Sequence, residues 1–293
     1  MTRQRRFKQI DVFGSTPLRG NPLAVIMEAD GLSAADMQSM ARWTNLSETT
    51  FVLPPTDAAA DYQVRIFTPD YELPFAGHPT LGTAYALLEA GLITPTSGRL
   101  VQQCGVGLVE LAVRSPQALA FKSPAAQVTP LPEPVRAQVA AALPGGQIAH
   151  RAVPQAVAMG IRWLVVKMDS ADDVLAVKAE VAALSNLLAL SGCNGVALYG
   201  VHPAGGPAHL EVRALLVEQG ALVEDPVTGS ANACLAQLLL QQDFAGLEAL
   251  RHGYQVRQGT CKQRNGRVDV HFTEGAPWIG GLCHTVIDGN VVF

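Results

Sequence analysis

Apolar and polar positions follow the same order in the two halves of this chain. In the first half, strand-like alternation at Phe7 to Phe13 and Leu23 to Met27 is followed by a helix opened by Ser33, then strands at Thr49 to Leu53 and Tyr62 to Phe67. A nearly all-apolar helix starts at His78 and is stopped by Gly91, and alternation returns at Val101 to Cys104 and Leu108 to Val113. The second half predicts a strand at Arg162 to Met168, a helical stretch over Asp173 to Leu188, strands at Val196 to Tyr199 and Leu210 to Leu216, and an apolar helix from Ser230. The tetrapeptide VRIF at residue 64 answers VRAL at residue 212. The pattern is that of an α/β (α+β) protein made of two similar, duplicated domains, 1–125 and 145–278. The proline-crowded stretch 126–144 is expected as a linker, and residues 279–293 as a strand that returns to the first domain.

The two apolar helices carry the best-matched stretches, ELPFAGHPTLGTAYALL (72–88) and EDPVTGSANACLAQLLL (224–240). Both read Glu-x-Pro-x-x-Gly, a polar residue, then a long apolar run. In the first, Leu81, Ala84, Tyr85 and Leu88 form one stripe, yet Ala86 and Leu87 carry the apolar character around the back. Such a helix belongs inside its domain, wrapped by strands. Its first turn has backbone N–H groups without helical partners and a partial positive charge, so two such mouths facing one another could hold a small carboxylate from both sides. His78 and Ser230 read equally as helix caps, and Asp225 before Pro226 as a turn former.

Composition narrows the function without naming it. The chain has 293 residues, 48% hydrophobic and 16% charged, with a formal net charge of -4. Apart from Arg3, Arg5, Arg6 and Lys8 the basic residues are scattered, which argues against nucleic acid as a partner. No run approaches the ~18 apolar residues of a membrane span and nothing after the basic start resembles a signal-peptide core, so the cytoplasm is the expected location. Five separated cysteines without a Cys-x-x-Cys pair give no zinc or redox motif and are expected to be buried reduced thiols. Neither glycine stretch ends in the Gly-Lys-Ser/Thr of a nucleotide phosphate loop.

NPLAVI near the start, NLSETTFV at residue 45, ELPFAGHPTLGTA at residue 72 and EDPVTGSANA at residue 224 together resemble the signature stretches of the phenazine-biosynthesis PhzF family. The resemblance spans nearly the whole chain. It implies the diaminopimelate-epimerase fold, each domain a curved, barrel-like mixed sheet around a central helix, with an active site in the cleft between the domains. It also implies a homodimer and an isomerase of the trans-2,3-dihydro-3-hydroxyanthranilate type, working by acid–base proton transfer with no metal and no organic cofactor. Many members act on other or unassigned substrates.

Carried onto this chain, the family's acid–base glutamate falls on Glu48, its cleft histidine and aspartate on His78 and Asp225, and its anion-contacting turns on Gly77, Gly229 and Ser230. A carboxyl group can shuttle a proton between carbons where its surroundings bring its affinity for protons near neutrality. The apolar neighbours Leu46 and Phe51 are compatible with partial burial of Glu48, although a glutamate between polar residues is usually solvated. Asp225 is suited to orient His78 or to bind a substrate amine. The chain departs from the epimerase relatives, which place a cysteine before the glycine of each helix start; here those positions are Ala76 and Thr228, so inversion by two thiols is not expected. Three functions follow: an isomerase of a small amino or hydroxy carboxylic acid, cyclic or not; a non-catalytic small-carboxylate binding protein using the same cleft; and a structural or interaction protein.

Overall fold

Local chemistry fixes the first helix. Ser33 Oγ accepts the Asp36 backbone N–H at 3.1 Å and the Asp36 carboxylate accepts the Ser33 N–H at 3.0 Å, a reciprocal cap that starts α1 (Ala34–Thr44). Asn45 ends it in the left-handed region, at φ 52°. In this computed structural model, which describes residues 4–150 and 152–293, the chain forms two compact units. Unit 1 holds the chain up to Lys122 together with Ile279–Phe293, and unit 2 holds Ser123–Trp278.

Unit 1 contains β1 (Gln4–Val12), β2 (Asn21–Ile26), α1, β3 (Glu48–Leu53), β4 (Tyr62–Phe67), β5 (Glu72–Leu73), α2 (Gly77–Glu89), β6 (Arg99–Cys104), β7 (Gly107–Val113) and β8 (Ala118–Lys122). Strand β1 pairs antiparallel with β2, β2 parallel with β3, β3 antiparallel with β4, β4 parallel with β6, and β6, β7 and β8 run on antiparallel. The chain's last strand, Ala276–Val292, pairs with both β8 and β1 and closes this ring of eight strands. Within the ring lies α2, buried at every residue from Gly77 to Leu87 and packed on β1, β2, β3, β6 and β8. Lys8, itself 4% exposed, ties the far end of α2 to the ring through Glu89 at 2.7 Å and Asp288 at 2.6 Å.

Unit 2 contains β9 (Gln127–Pro130), α3 (Glu133–Ala142), β10 (Gln155–Met159), β11 (Ile161–Lys167), α4 (Ala171–Ala176), α5 (Val181–Ser191), β12 (Gly195–Val201), β13 (Leu210–Glu218), β14 (Ala221–Asp225), α6 (Gly229–Gln241), β15 (Gly253–Gln258) and β16 (Gly266–Thr273). Its pairings repeat those of unit 1: β10–β11 antiparallel, β11–β12 parallel, β12–β13 antiparallel, β13–β15 parallel and β15–β16 antiparallel. In both units a short hairpin, β4–β5 or β13–β14, leads into a 13-residue buried helix.

Three expectations need correcting. The stretch 126–144 forms β9, which pairs with β10, and α3, whose Val135, Val139 and Ala142 enter the unit 2 core beside Leu184, Leu187 and Leu198. Its prolines misled because Pro132 caps α3 and Pro134 stands in the first turn, where a missing N–H costs no helical bond. The helical stretch at Asp173 to Leu188 is two helices, broken where the Arg213 guanidinium donates to the carbonyls of Val174 at 3.0 Å and Val177 at 2.8 Å. Of the cysteines, Cys193, Cys234 and Cys283 are buried, Cys104 is half-buried and Cys261 is exposed; all five are free thiols.

Candidate functional site

Each duplicated helix begins one residue before the polar position that the sequence suggested, at Gly77 and at Gly229, with Ala76 and Thr228 as the preceding residues. Neither Ala76 nor Thr228 caps its helix through a side chain. His78 and Ser230 are second helical residues, so the capping explanation for them falls. The glutamates that open the repeated motif are bound elsewhere. Arg65 holds Glu72 by two bonds of 2.7 and 2.6 Å, and Arg213 holds Glu224 at 2.9 and 3.3 Å, each pair across its hairpin. These pairs bind the turn before each helix, and their arginines are those of the repeated Val-Arg dipeptide.

At the mouth of α2, His78 is 3% exposed and its Nε2 faces Glu48 Oε2 at 3.4 Å. Glu48 is placed there as the first residue of β3, opposite Leu23 of β2, with its side chain 16% exposed. The other ring nitrogen, Nδ1, lies 3.4 Å from the Asn21 amide nitrogen. Burial pushes the His78 pKa down to about 3, against the opposing effect of a hydrogen bond to the Pro22 carbonyl, so the ring is neutral at ordinary pH. Helical bonding starts at the Thr80 N–H, which reaches Ala76 O at 3.2 Å. Of the residues before it in the helix, Gly77 and His78 have an N–H to offer, whereas Pro79 has none.

At the mouth of α6 the donors are more numerous. Asn232 N–H makes the first helical bond, to Thr228 O at 3.2 Å, which leaves the N–H groups of Gly229, Ser230 and Ala231 without helical partners. Ser230 Oγ accepts the indole N–H of Trp163 at 3.1 Å. Asp225, the last residue of β14, accepts the Thr228 hydroxyl at 2.5 Å, while Gln258 accepts the Thr228 N–H and donates to the Thr228 hydroxyl oxygen. The turn before α6 is therefore braced by Asp225, Thr228, Asn232 and Gln258. Unit 1 brings Glu48, His78 and Gly77 together, and unit 2 brings Asp225, Gly229 and Ser230 together.

Sequence reasoning missed Asn21, Trp163, Thr228 and Gln258. Asn21 opens the NPLAVI stretch, and Trp163 is the single aromatic residue of a strand whose counterpart in unit 1 has none; both were visible but carried no role. Among the described residues no group of three or more His, Cys, Asp or Glu is placed to hold a metal ion, and no helix is long and apolar enough to cross a membrane.

A helix mouth holding a buried carboxyl–imidazole contact, in a chain built of two repeated units, agrees with the comparisons. The family model of phenazine biosynthesis-like proteins matches residues 10–286. The chain belongs to this PhzF family. It is 35% identical to antisense-enhancing sequence 1 of Schizosaccharomyces pombe over 98% of both chains. It is 63% identical to the trans-2,3-dihydro-3-hydroxyanthranilate isomerase of Pseudomonas chlororaphis, over 27% of this chain and 28% of that one. The crystal structure of a PhzF-family protein from Bacillus anthracis superposes with a TM-score of 0.82 at 23% identity, covering 99% of this chain and 100% of that one. Family relatives of this chain are named as isomerases, which places it among isomerase- and epimerase-like proteins.

Proposed function

We propose that the protein moves a proton on a small amino or hydroxy carboxylic acid, cyclic or not, by acid–base catalysis without metal or organic cofactor. The observation that carries this reading is the contact of Glu48 with the buried, neutral His78 at the mouth of α2. A neutral imidazole puts no full positive charge beside the carboxylate. In the proposed step Glu48 removes a proton from one carbon of the substrate and returns it to another, while the electrons of the broken C–H bond shift along an adjacent double bond. His78 and the N–H of Gly77 border the reacting atoms. The mouth of α6, with its backbone donors and Ser230, receives the substrate carboxylate, for which a helix N-terminus is suited. Asp225 is assigned to a substrate amine.

The name of the Pseudomonas relatives supplies the first compound to test, trans-2,3-dihydro-3-hydroxyanthranilate. In deuterated water, wild-type protein is expected to introduce deuterium into it, and Glu48→Gln to do so about 10²-fold more slowly or worse, while still binding the compound. If Glu48→Gln exchanges at the wild-type rate, the proton carrier is His78 or Asp225 and the role given to Glu48 is wrong. Binding of small carboxylates without exchange on any of them would leave a binding protein instead.

A further inference from the structure

The two helix mouths differ at one equivalent place. In unit 1 the first pair of the parallel ladder is Leu23 with Glu48, and the glutamate side chain reaches the second residue of α2, His78. In unit 2 the first pair of the equivalent ladder is Trp163 with Gly195, and here it is the indole that reaches the second residue of α6, Ser230. Gly195 leaves room for that ring: a Cβ at this position would stand 2.5 Å from Trp163 Cζ3 and 2.8 Å from the Leu215 carbonyl oxygen. The position that carries a carboxylate in one unit thus carries no side chain in the other, and the indole of the neighbouring strand lies over it. Trp163 is 1% exposed, so its N–H has no water to turn to and its bond to Ser230 is the one that satisfies it.

We infer that Trp163 is a positioning residue, which turns the Ser230 proton into the mouth of α6 as a donor and so favours an anionic group there. The inference rests on the proposal that this mouth receives the substrate carboxylate. An indole N–H can only donate, so Ser230 Oγ must accept from it, and the serine's own proton is left for another acceptor. Among the described residues the bond from Trp163 is the one side-chain hydrogen bond that Ser230 makes, so its proton has no protein acceptor. With the N–H groups of Gly229, Ser230 and Ala231, the Ser230 proton makes the mouth rich in donors. A carboxylate oxygen satisfies them; an ammonium group, which has no lone pair, does not. Without the indole, the hydroxyl could turn to accept as readily as to donate.

The test compares anthranilate, a stable aromatic carboxylate, with anthranilamide, its neutral amide, by calorimetric titration of wild type, Trp163→Phe, Ser230→Ala and the double variant. Trp163→Phe keeps a ring over Gly195 and removes the N–H. Anthranilate binding should weaken by about five- to tenfold in Ser230→Ala, as for loss of one hydrogen bond to a charged group, and by about threefold in Trp163→Phe, where the hydroxyl keeps its proton but loses its orientation. Anthranilamide binding should stay within about twofold, since a neutral acceptor gains little from the lost donor. The double variant should bind anthranilate no worse than Ser230→Ala, because Trp163 acts through Ser230. Effects that multiply in the double variant, or a Trp163→Phe protein that binds anthranilate like wild type, would overturn the inference. If Ser230→Ala also binds like wild type, or wild type does not bind anthranilate at all, the carboxylate reading of α6 fails with it. Should Trp163→Phe not fold, the indole ¹⁵N–¹H resonance of Trp163 in the wild type decides: it should move on saturation with anthranilate and not with anthranilamide, and an unmoved resonance counts against the inference.

Discussion

A buried neutral histidine makes stability depend on pH in one direction. In the unfolded chain His78 has its ordinary pKa of 6.5, and burial lowers it in the folded protein to about 3. Between those values the unfolded chain binds more protons, so acid favours unfolding. Stability is full above pH 6.5 and falls with pH by up to about 1.4 kcal/mol per unit from this residue. Urea unfolding at pH 7.5 and pH 5 should therefore show wild type losing about 2 kcal/mol more than His78→Gln over that interval. Equal losses would show that His78 is not held neutral. At this scale the sequence supplied residue types and left their partners open. The repeated motif singled out Glu72 and Glu224 as readily as Gly77 and Gly229, and only the fold shows the glutamates to be occupied by Arg65 and Arg213. Glu48 was named through the family resemblance, but its partner was hidden for a related reason. Its neighbours in sequence are polar, and the group it touches lies 30 residues away on another element.

The helices and strands were largely legible because apolar periodicity reports burial, which decides most elements here. Both central helices show apolar residues on every side and are buried nearly throughout. The reading failed where a local signal had a tertiary answer, as with the prolines of α3 and the break between α4 and α5, where Arg213 binds the freed carbonyls. Close packing around α2 gives a prediction of its own. Alanine at Gly82 would gain about 1 kcal/mol of helix propensity. Its methyl group, however, would stand 2.6 Å from Leu23 Cδ2 and 2.8 Å from Val12 Cγ2, both fully buried. Overpacking of this kind costs typically ~1–3 kcal/mol and should win. Gly82→Ala is expected to lower unfolding stability by about 1 kcal/mol in chemical denaturation, and a stabilised variant would show that β1 and β2 yield without cost.

For the whole molecule, the order of elements along the chain differs from the order in which they become complete. Nearly all of unit 1 precedes unit 2, yet its ring is finished by residues 279–292, which follow unit 2. Those residues pair with β1 along its full length, from Gln4 with Val292 to Val12 with Cys283, and the same strand also pairs with β8. Without them β1 and β8 become open edges, and Phe13 loses the bond from its N–H to the Leu282 carbonyl at 2.7 Å. The end of α2 would lose the Thr285 hydroxyl, which donates to Glu89 at 2.5 Å, and the gap opened between β1 and β8 would let water reach the helix. The salt bridge from Lys8 to Asp288 goes as well. A chain ending at Trp278 should therefore lose amide-exchange protection across 77–89 while keeping it across 229–241, because every strand pairing within unit 2 cited above lies before the cut. Hydrogen exchange read by mass spectrometry on the two helices measures the difference directly. Equal protection of α2 with and without residues 279–293 would mean that the first eight strands hold the helix unaided, and that the returning strand serves some purpose other than closing the ring.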